Sequence, residues 1–295
     1  MAKRVIKKDT SEKKTTKKQA VNPHADSILK KTASLLKHPA PIRGYKGKIH
    51  VGVDLGTAYT VLVVLDEDYK PLTGRYQFAQ IVRDGVIVDF IGAINLLRKL
   101  KAEVESDLGI ELTHAATSYP PGVPMAEVKA TRNVLIGAGL ECEDFVDEPT
   151  AANALLQIDN GAIVDIGGGT TGIAIIENGK VIYTADEATG GTQFSLVIAG
   201  AMDIPFEEAE KVKTNPKQQD MVYSLVFPVM QKVGSIVARH IAQFDVKTIY
   251  LVGGTSGMKG MDKVIQDMTG IPSQVPVHPM FVTPIGIAMH DQTIK

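Results

Sequence analysis

A chain of 295 residues with 44% apolar content and mean hydropathy of +0.03 is long enough to bury one or two globular cores. No run of 18 uncharged apolar residues occurs and no apolar leader opens the sequence, so a membrane span is not expected; the single cysteine, Cys142, excludes an internal disulfide framework and fits a reducing cytoplasm. The net charge of −1 hides a division: residues 1–50 carry 14 Lys and Arg against 3 Asp and Glu, whereas residues 51–295 carry 18 against 30, a basic tail on an acidic body.

Residues 1–21 have no aromatic and few apolar groups, and are expected to be disordered. In the next stretch, NPHADSILKKTASLLKH, Ile28, Leu29, Thr32, Ala33, Leu35 and Leu36 recur at helical spacing, with Lys30, Lys31 and Lys37 opposite. Asn22 with Pro23 starts a helix and Pro39 and Pro41 end it. This helix either packs on its own domain, docks on a partner protein, or forms an arm toward a membrane or nucleic acid. The 1–46 segment is thus read as a tail with one amphipathic helix near 23–38, which we expect to recruit the protein to its partners.

Two Asp-Gly elements follow, VGVDLGTAYTVLVVLD at 51–66 and AIVDIGGGTTGIAIIENG at 162–179. Each joins two short β-branched runs through a loop of small residues, so each reads as strand, loop, strand. That order excludes a P-loop and a dinucleotide fingerprint, both of which need a helix after the glycines. After the first element come strands to about residue 80, a long helix over IGAINLLRKLKAEVESDLG, a strand at 113–118 and a helix at 124–138. After the second come a strand at 180–185, helices near 191–202, 205–213 and 220–243, a strand at 248–254, a helix at 258–269 and a short helix near 284–290. Similar units in the same order, 111 residues apart, indicate a duplicated α/β fold with one lobe per repeat, 47–157 and 158–295.

The backbone of Gly167, Gly168, Gly169, Thr170 and Thr171 has little side-chain bulk, so its amides can converge on an anion. Asp165 beside it, and Asp54 in the equivalent place, would repel bare phosphate, a conflict removed by Mg²⁺ held between carboxylates and phosphate. The alternative is that both loops are tight β-turns of a buried sheet. Glu148 in DEPTAANALL stands at a helix start, where a carboxylate is ordinarily a dipole partner. Gly190 and Gly191 precede another helix N-terminus, open to an anion. In TIYLVGGTSGMKG, Gly253, Gly254, Thr255 and Ser256 either offer a flat surface to a ring or simply turn the chain.

In order, VDLGTAYT, DEPTAAN, VDIGGGTTGIAI and YLVGGTSGMKG resemble the phosphate-1, connecting, phosphate-2 and adenosine motifs of the actin, DnaK-type chaperone and sugar-kinase superfamily, over about residues 48–290. More narrowly, VRDGVIVDFIGAI, HAATSYPPG, VDEPTAANALLQIDN and YTADEATGG resemble the EutJ family of ethanolamine utilization proteins, chaperone-like members encoded with bacterial microcompartments. The resemblance implies a duplicated actin-like ATPase fold of ribonuclease H-like lobes, with mixed sheets around a nucleotide cleft.

It also implies ATP or ADP with Mg²⁺ as ligands. Asp54 and Asp165 would position the metal through its water shell, Gly56, Thr57 and Ala58 would lie at the outer phosphates, and Glu148 would orient the attacking water. Glu210 and Lys213 have the spacing of ribose and adenine contacts. Ala58, Gly172 and Gly257 stand where the chaperones have Thr, Asp and Arg, and no catalytic lysine is placed in the first lobe, which favours binding over fast hydrolysis. The implied role is a cytoplasmic, slowly hydrolysing chaperone-like switch for microcompartment enzymes, with ethanolamine ammonia-lyase as client and without a nucleic-acid partner. The alternatives are an actin-like scaffold or filament protein and a nucleotide-binding adaptor without hydrolysis.

Overall fold

β-Branched runs set the two sheets. In the computed structural model, which describes residues 21–83 and 86–292, β1 (Ile49–Leu55), β2 (Tyr59–Asp66) and β3 (Pro71–Phe78) form an antiparallel meander. The disorder expected for residues 1–21 falls, except for Val21, outside the described residues. Six consecutive residues of β2, Thr60 to Leu65, are buried, because both sheet faces are covered. A small hairpin of β4 (Val82–Arg83) and β5 (Val86–Ile87) leads to α2 (Phe90–Leu108), which Asp89 caps and Gly109 ends at φ 69°. Then come β6 (Ala116–Tyr119), α3 (Met125–Gly137), β7 (Phe145–Asp147) and α4 (Glu148–Leu156), giving the sheet order β3-β2-β1-β6-β7.

The second half repeats the plan. It has β8 (Gly161–Ile166), β9 (Thr171–Glu177), β10 (Lys180–Glu187), α5 (Gly191–Met202), α6 (Phe206–Thr214), α7 (Gln219–Ile241), β11 (Ile249–Val252), α8 (Met261–Thr269), β12 (Ser273–Gln274) and α9 (Val282–Met289). Its order is β10-β9-β8-β11-β12, the same as the first sheet. The repeat holds to the register: Asp54 pairs with Val61 as Asp165 pairs with Gly172. Both sheets are mixed, with β1–β6 and β8–β11 parallel. The sequence pattern missed β4, β5, β7 and β12, which at two or three residues are too short to show a period.

Outer faces pack on helices. Val51, Val53, Leu62 and Val64 meet Leu97, Leu100 and Val104 of α2, while Val164, Ile166, Ile173 and Ile175 share a core with α7. The 216–241 segment is long and apolar enough to cross a membrane by composition, yet its Val222, Val226, Met230, Val233 and Val237 are fully buried in that core.

Between the sheets lies a layer in which the halves exchange helices. α4 packs against β8 and β9, and α9 returns to pack against β1, β2 and α4. α9, from the second repeat, thereby covers the first sheet. That sheet's inner face, Val61, Val63 and Leu65, is too wide for α9 alone and is completed by α1 (Pro23–Lys37), lying on β3. Ala25, Ile28, Leu29 and Leu36 of α1 are buried there. Of the readings open for this helix, packing on its own domain is the one found, and its apolar face is not presented to a partner.

Candidate functional site

The two hairpins place their loops face to face. Gly56 N–H donates to Tyr59 O at 3.1 Å in the first and Gly167 N–H donates to Thr170 O at 3.0 Å in the second, so both turns close alike. A Cβ added at Gly168 would stand 2.8 Å from the Cβ and 2.9 Å from the N of Ala58, and one at Gly169 would stand 2.9 Å from Thr57 Oγ1. The loops thus touch across a cleft whose cavity measures about 750 Å³, within the range of small-ligand sites.

Most expected residues line this cavity: Asp54, Gly56, Thr57, Ala58, Glu148, Asp165, Gly167, Gly168, Gly169 and Thr170, together with Glu210, Lys213, Gly253, Gly254 and Thr255. Three half-buried carboxylates on its wall, Asp54, Glu148 and Asp165, repel one another. Burial, then Asp165, pushes Asp54 up to about 7, whereas Asp165 reaches about 6 through burial, opposed by the hydroxyl of Thr283 at 2.9 Å and reinforced by Asp186. Glu148 is raised well above the carboxylate range by burial first and then by Asp165, Asp54, Asp186 and Asp147. Such a concentration of like charge fits a divalent cation. Among the described residues no three His, Cys, Asp or Glu side chains are grouped so as to hold a metal ion directly.

Four expected residues are not on the wall, and each has a structural task. Gly191 N–H donates to Gly167 O at 2.9 Å, Thr192 N–H donates to Gly168 O at 2.7 Å, and Gly190 N–H donates to the Gln193 side chain at 2.7 Å. The N-terminal amides of α5 are therefore spent on the second loop and do not meet an anion directly. Thr171 Oγ1 donates to Thr189 O at 2.6 Å, and Ser256 Oγ donates to Val252 O at 2.5 Å, both buried. Thr255 stands on the wall, but its hydroxyl too is committed, donating to Gly167 O at 2.8 Å. Gly253 has φ 85°, and a Cβ there would lie 2.1 Å from Asp165 Oδ1, so only glycine leaves that carboxylate its place.

Glu210 and Lys213 meet each other at 2.7 Å, one turn apart on α6, and are both buried. The Glu210 carboxylate also accepts the Ser195 hydroxyl, and Lys213 Nζ donates to Gly191 O at 3.0 Å, which ties α6 to the start of α5. Burial lowers the Lys213 ammonium while Glu210 holds it up. The lysines on the wall, Lys213, Lys217 and Lys259, all come from the second half.

Sequence reasoning missed Asp186, whose charge acts on Asp165 and Glu148. It pairs with Gly172 across the β9–β10 ladder, and its Oδ1 lies 3.7 Å from where a Cβ at Gly172 would be. Counting outward from the turn Glu177-Asn178-Gly179-Lys180 would have brought it near.

Known proteins share this fold. Residues 152–286 match the family model of Type IV pilus assembly protein PilM, and residues 73–215 match that of MreB/Mbl protein. The crystal structure of MreB5 of Spiroplasma citri bound to ADP shares the fold at a TM-score of 0.67 and 17% identity, covering 82% of this chain and 95% of that one. The crystal structure of ethanolamine utilization protein EutJ from Carboxydothermus hydrogenoformans has a TM-score of 0.86 at 45% identity, covering 90% of this chain and 98% of that one. Ethanolamine utilization protein EutJ of Salmonella typhimurium (strain LT2) is 44% identical over 239 residues, 81% of this chain and 84% of that protein. A duplicated actin-like ATPase fold, together with identity at this level over most of both sequences, means that the chain belongs to the EutJ family.

Proposed function

We propose that the cleft binds Mg-ATP and that the protein is a nucleotide-dependent, chaperone-like switch in ethanolamine utilization. The observation that carries this reading is the pairing of two identically closed loops in one cavity with three half-buried carboxylates, one from each hairpin and one from α4. Bound Mg²⁺ would neutralise phosphate charge between the lobes. Asp54 and Asp165 would hold its water shell, the amides of residues 56–58 and 167–170 would face the phosphates, and Glu148 would orient and deprotonate a water for attack on the γ-phosphate. A ligand gripped by both lobes favours the closed cleft, and loss of the γ-phosphate removes that preference. Clients would be ethanolamine ammonia-lyase or other microcompartment proteins in the cytoplasm.

Calorimetric titration of ATP and ADP, with and without Mg²⁺, tests the site. Asp54→Asn and Asp165→Asn should each lose Mg-dependent affinity, and undiminished binding in both would remove the assignment. A second reading, binding without turnover, is favoured by Gly172 and by wall lysines that come only from the second half. A steady-state phosphate-release assay decides it, since turnover that depends on Asp165 excludes that reading.

A further inference from the structure

The two sheets are joined by two crossovers, one leaving α4 for β8 at 157–160 and one returning from β12 to α9 at 275–281. α1 contributes to neither ladder, yet its first turn reaches both. Asn22 Nδ2 donates to Leu156 O, the end of α4, at 3.1 Å, and Val277 N–H of the returning crossover donates to Asp26 Oδ1 at a long 3.5 Å. α1 also packs against the 3-10 turn at Pro279–Phe281, and its Ala25 and Leu29, fully buried, share a cluster with Leu156, Ile158 and Phe281.

The returning crossover is at the same time part of the candidate site. Met280 lines the cavity, and Thr283, two residues beyond the turn, holds Asp165 through its hydroxyl. Rotation of one sheet against the other must bend both crossovers, and α1 is fastened to both near one end. A 15-residue helix is marginal by itself in water, so α1 stays folded through this docking and can leave as a local unit without global unfolding.

We propose that α1 is a hinge brace: docked, it stiffens both crossovers and slows opening of the cleft, and released, it lets nucleotide exchange rapidly. The inference rests on the nucleotide reading of the cleft. It makes the basic tail, joined directly to Val21, a handle on exchange, because a partner that takes the apolar face of α1 must first lift it from the hinge.

The test uses the full chain. Asn22→Asp keeps the cap oxygen that accepts from His24 and Ala25 but removes the donor to Leu156, and Asp26→Ala removes the acceptor for Val277. Leu36→Ala weakens docking at the far end of α1, where Leu36 meets the strand at Gly74. Release of a fluorescent ADP analogue with Mg²⁺ is followed by stopped flow, and backbone hydrogen exchange is followed at 275–283.

The double variant should release at least about fivefold faster and exchange faster at 275–283, and Leu36→Ala, which weakens docking of the same helix, should accelerate both as well. Unchanged release in the double variant overturns the proposal, whatever the exchange shows. Faster release in Leu36→Ala without faster exchange at 275–283 overturns it too, because opening of the cleft would then not run through the crossover. If the wild-type chain binds no nucleotide, the reading of the cleft fails instead, and unchanged exchange in the double variant is then the result that overturns the brace.

Discussion

Adding one methyl group at Gly168 probes the contact between the loops. In Gly168→Ala the new carbon would sit 2.8 Å from the Ala58 Cβ and 2.9 Å from its backbone N, where non-bonded carbons prefer roughly 3.5–4 Å. The loops must separate by about 1 Å. Overpacking of this kind costs about 1–3 kcal/mol, and because the clash spans a cleft, opening the cleft relieves it. Taking about 2 kcal/mol, the ratio of closed to open forms falls about 30-fold, and the affinity of a ligand that needs the closed form falls by up to the same factor.

The assay is calorimetric titration of ADP with Mg²⁺, alongside a thermal melt showing that the body remains folded. Ala58→Gly in the same chain removes the Cβ contact but leaves the backbone N, so it should recover part of the loss. Gly169→Ala meets the Thr57 side chain, which can rotate away, and should cost less. Binding within twofold of wild type in Gly168→Ala would refute the reasoning, since the loops would then be free to part without consequence.

Glu148→Gln should keep nucleotide affinity while lowering turnover by 10²-fold or more, about 2.7 kcal/mol, in a phosphate-release assay; unchanged turnover removes Glu148 from the chemistry. Burial pushes the Cys142 thiol up to about 12, against a smaller opposing effect of Arg132, so Ellman's reagent at pH 8 should leave the native protein unmodified and label it promptly in urea. Glu187 is held below its ordinary value chiefly by its hydrogen bond with His240, at 2.8 Å, and with help from Arg239. A depressed carboxylate contributes stability that is complete above about pH 4.5 and is lost as pH falls through the lower folded value. The melting-temperature gap between wild type and Glu187→Gln should therefore narrow between pH 6 and pH 3.5, and a constant gap would contradict the ion pair.

The hairpins were legible because β-branched runs bounded by Asp-Gly turns recur at one spacing, and that recurrence also matched Asp54 with Asp165. Glycine loops hid more. Nothing in the residues of Gly190 and Gly191 tells whether their amides meet a ligand or the carbonyls of Gly167 and Gly168, because both uses need the same small residues. Asp186 escaped notice because its relation to the site runs through the β9–β10 pairing, not through a motif. The amphipathic pattern of α1 fixed the existence of the helix but not what covers its apolar stripe, since a domain's own sheet and a foreign partner ask for identical spacing.

The exchange of α4 and α9 between the sheets bears on how the chain comes to be folded. Synthesis runs from the N-terminus, yet β1 and β2 receive α9 only when residues 282–289 have been made. Until then, the inner face formed by Val61, Val63 and Leu65 is without this cover. The two halves therefore mature together only once residues 282–289 are made, and α9 acts as a latch whose arrival completes the first sheet. A chain cut before residue 282 would lose more from the lobe made first than from the lobe made last.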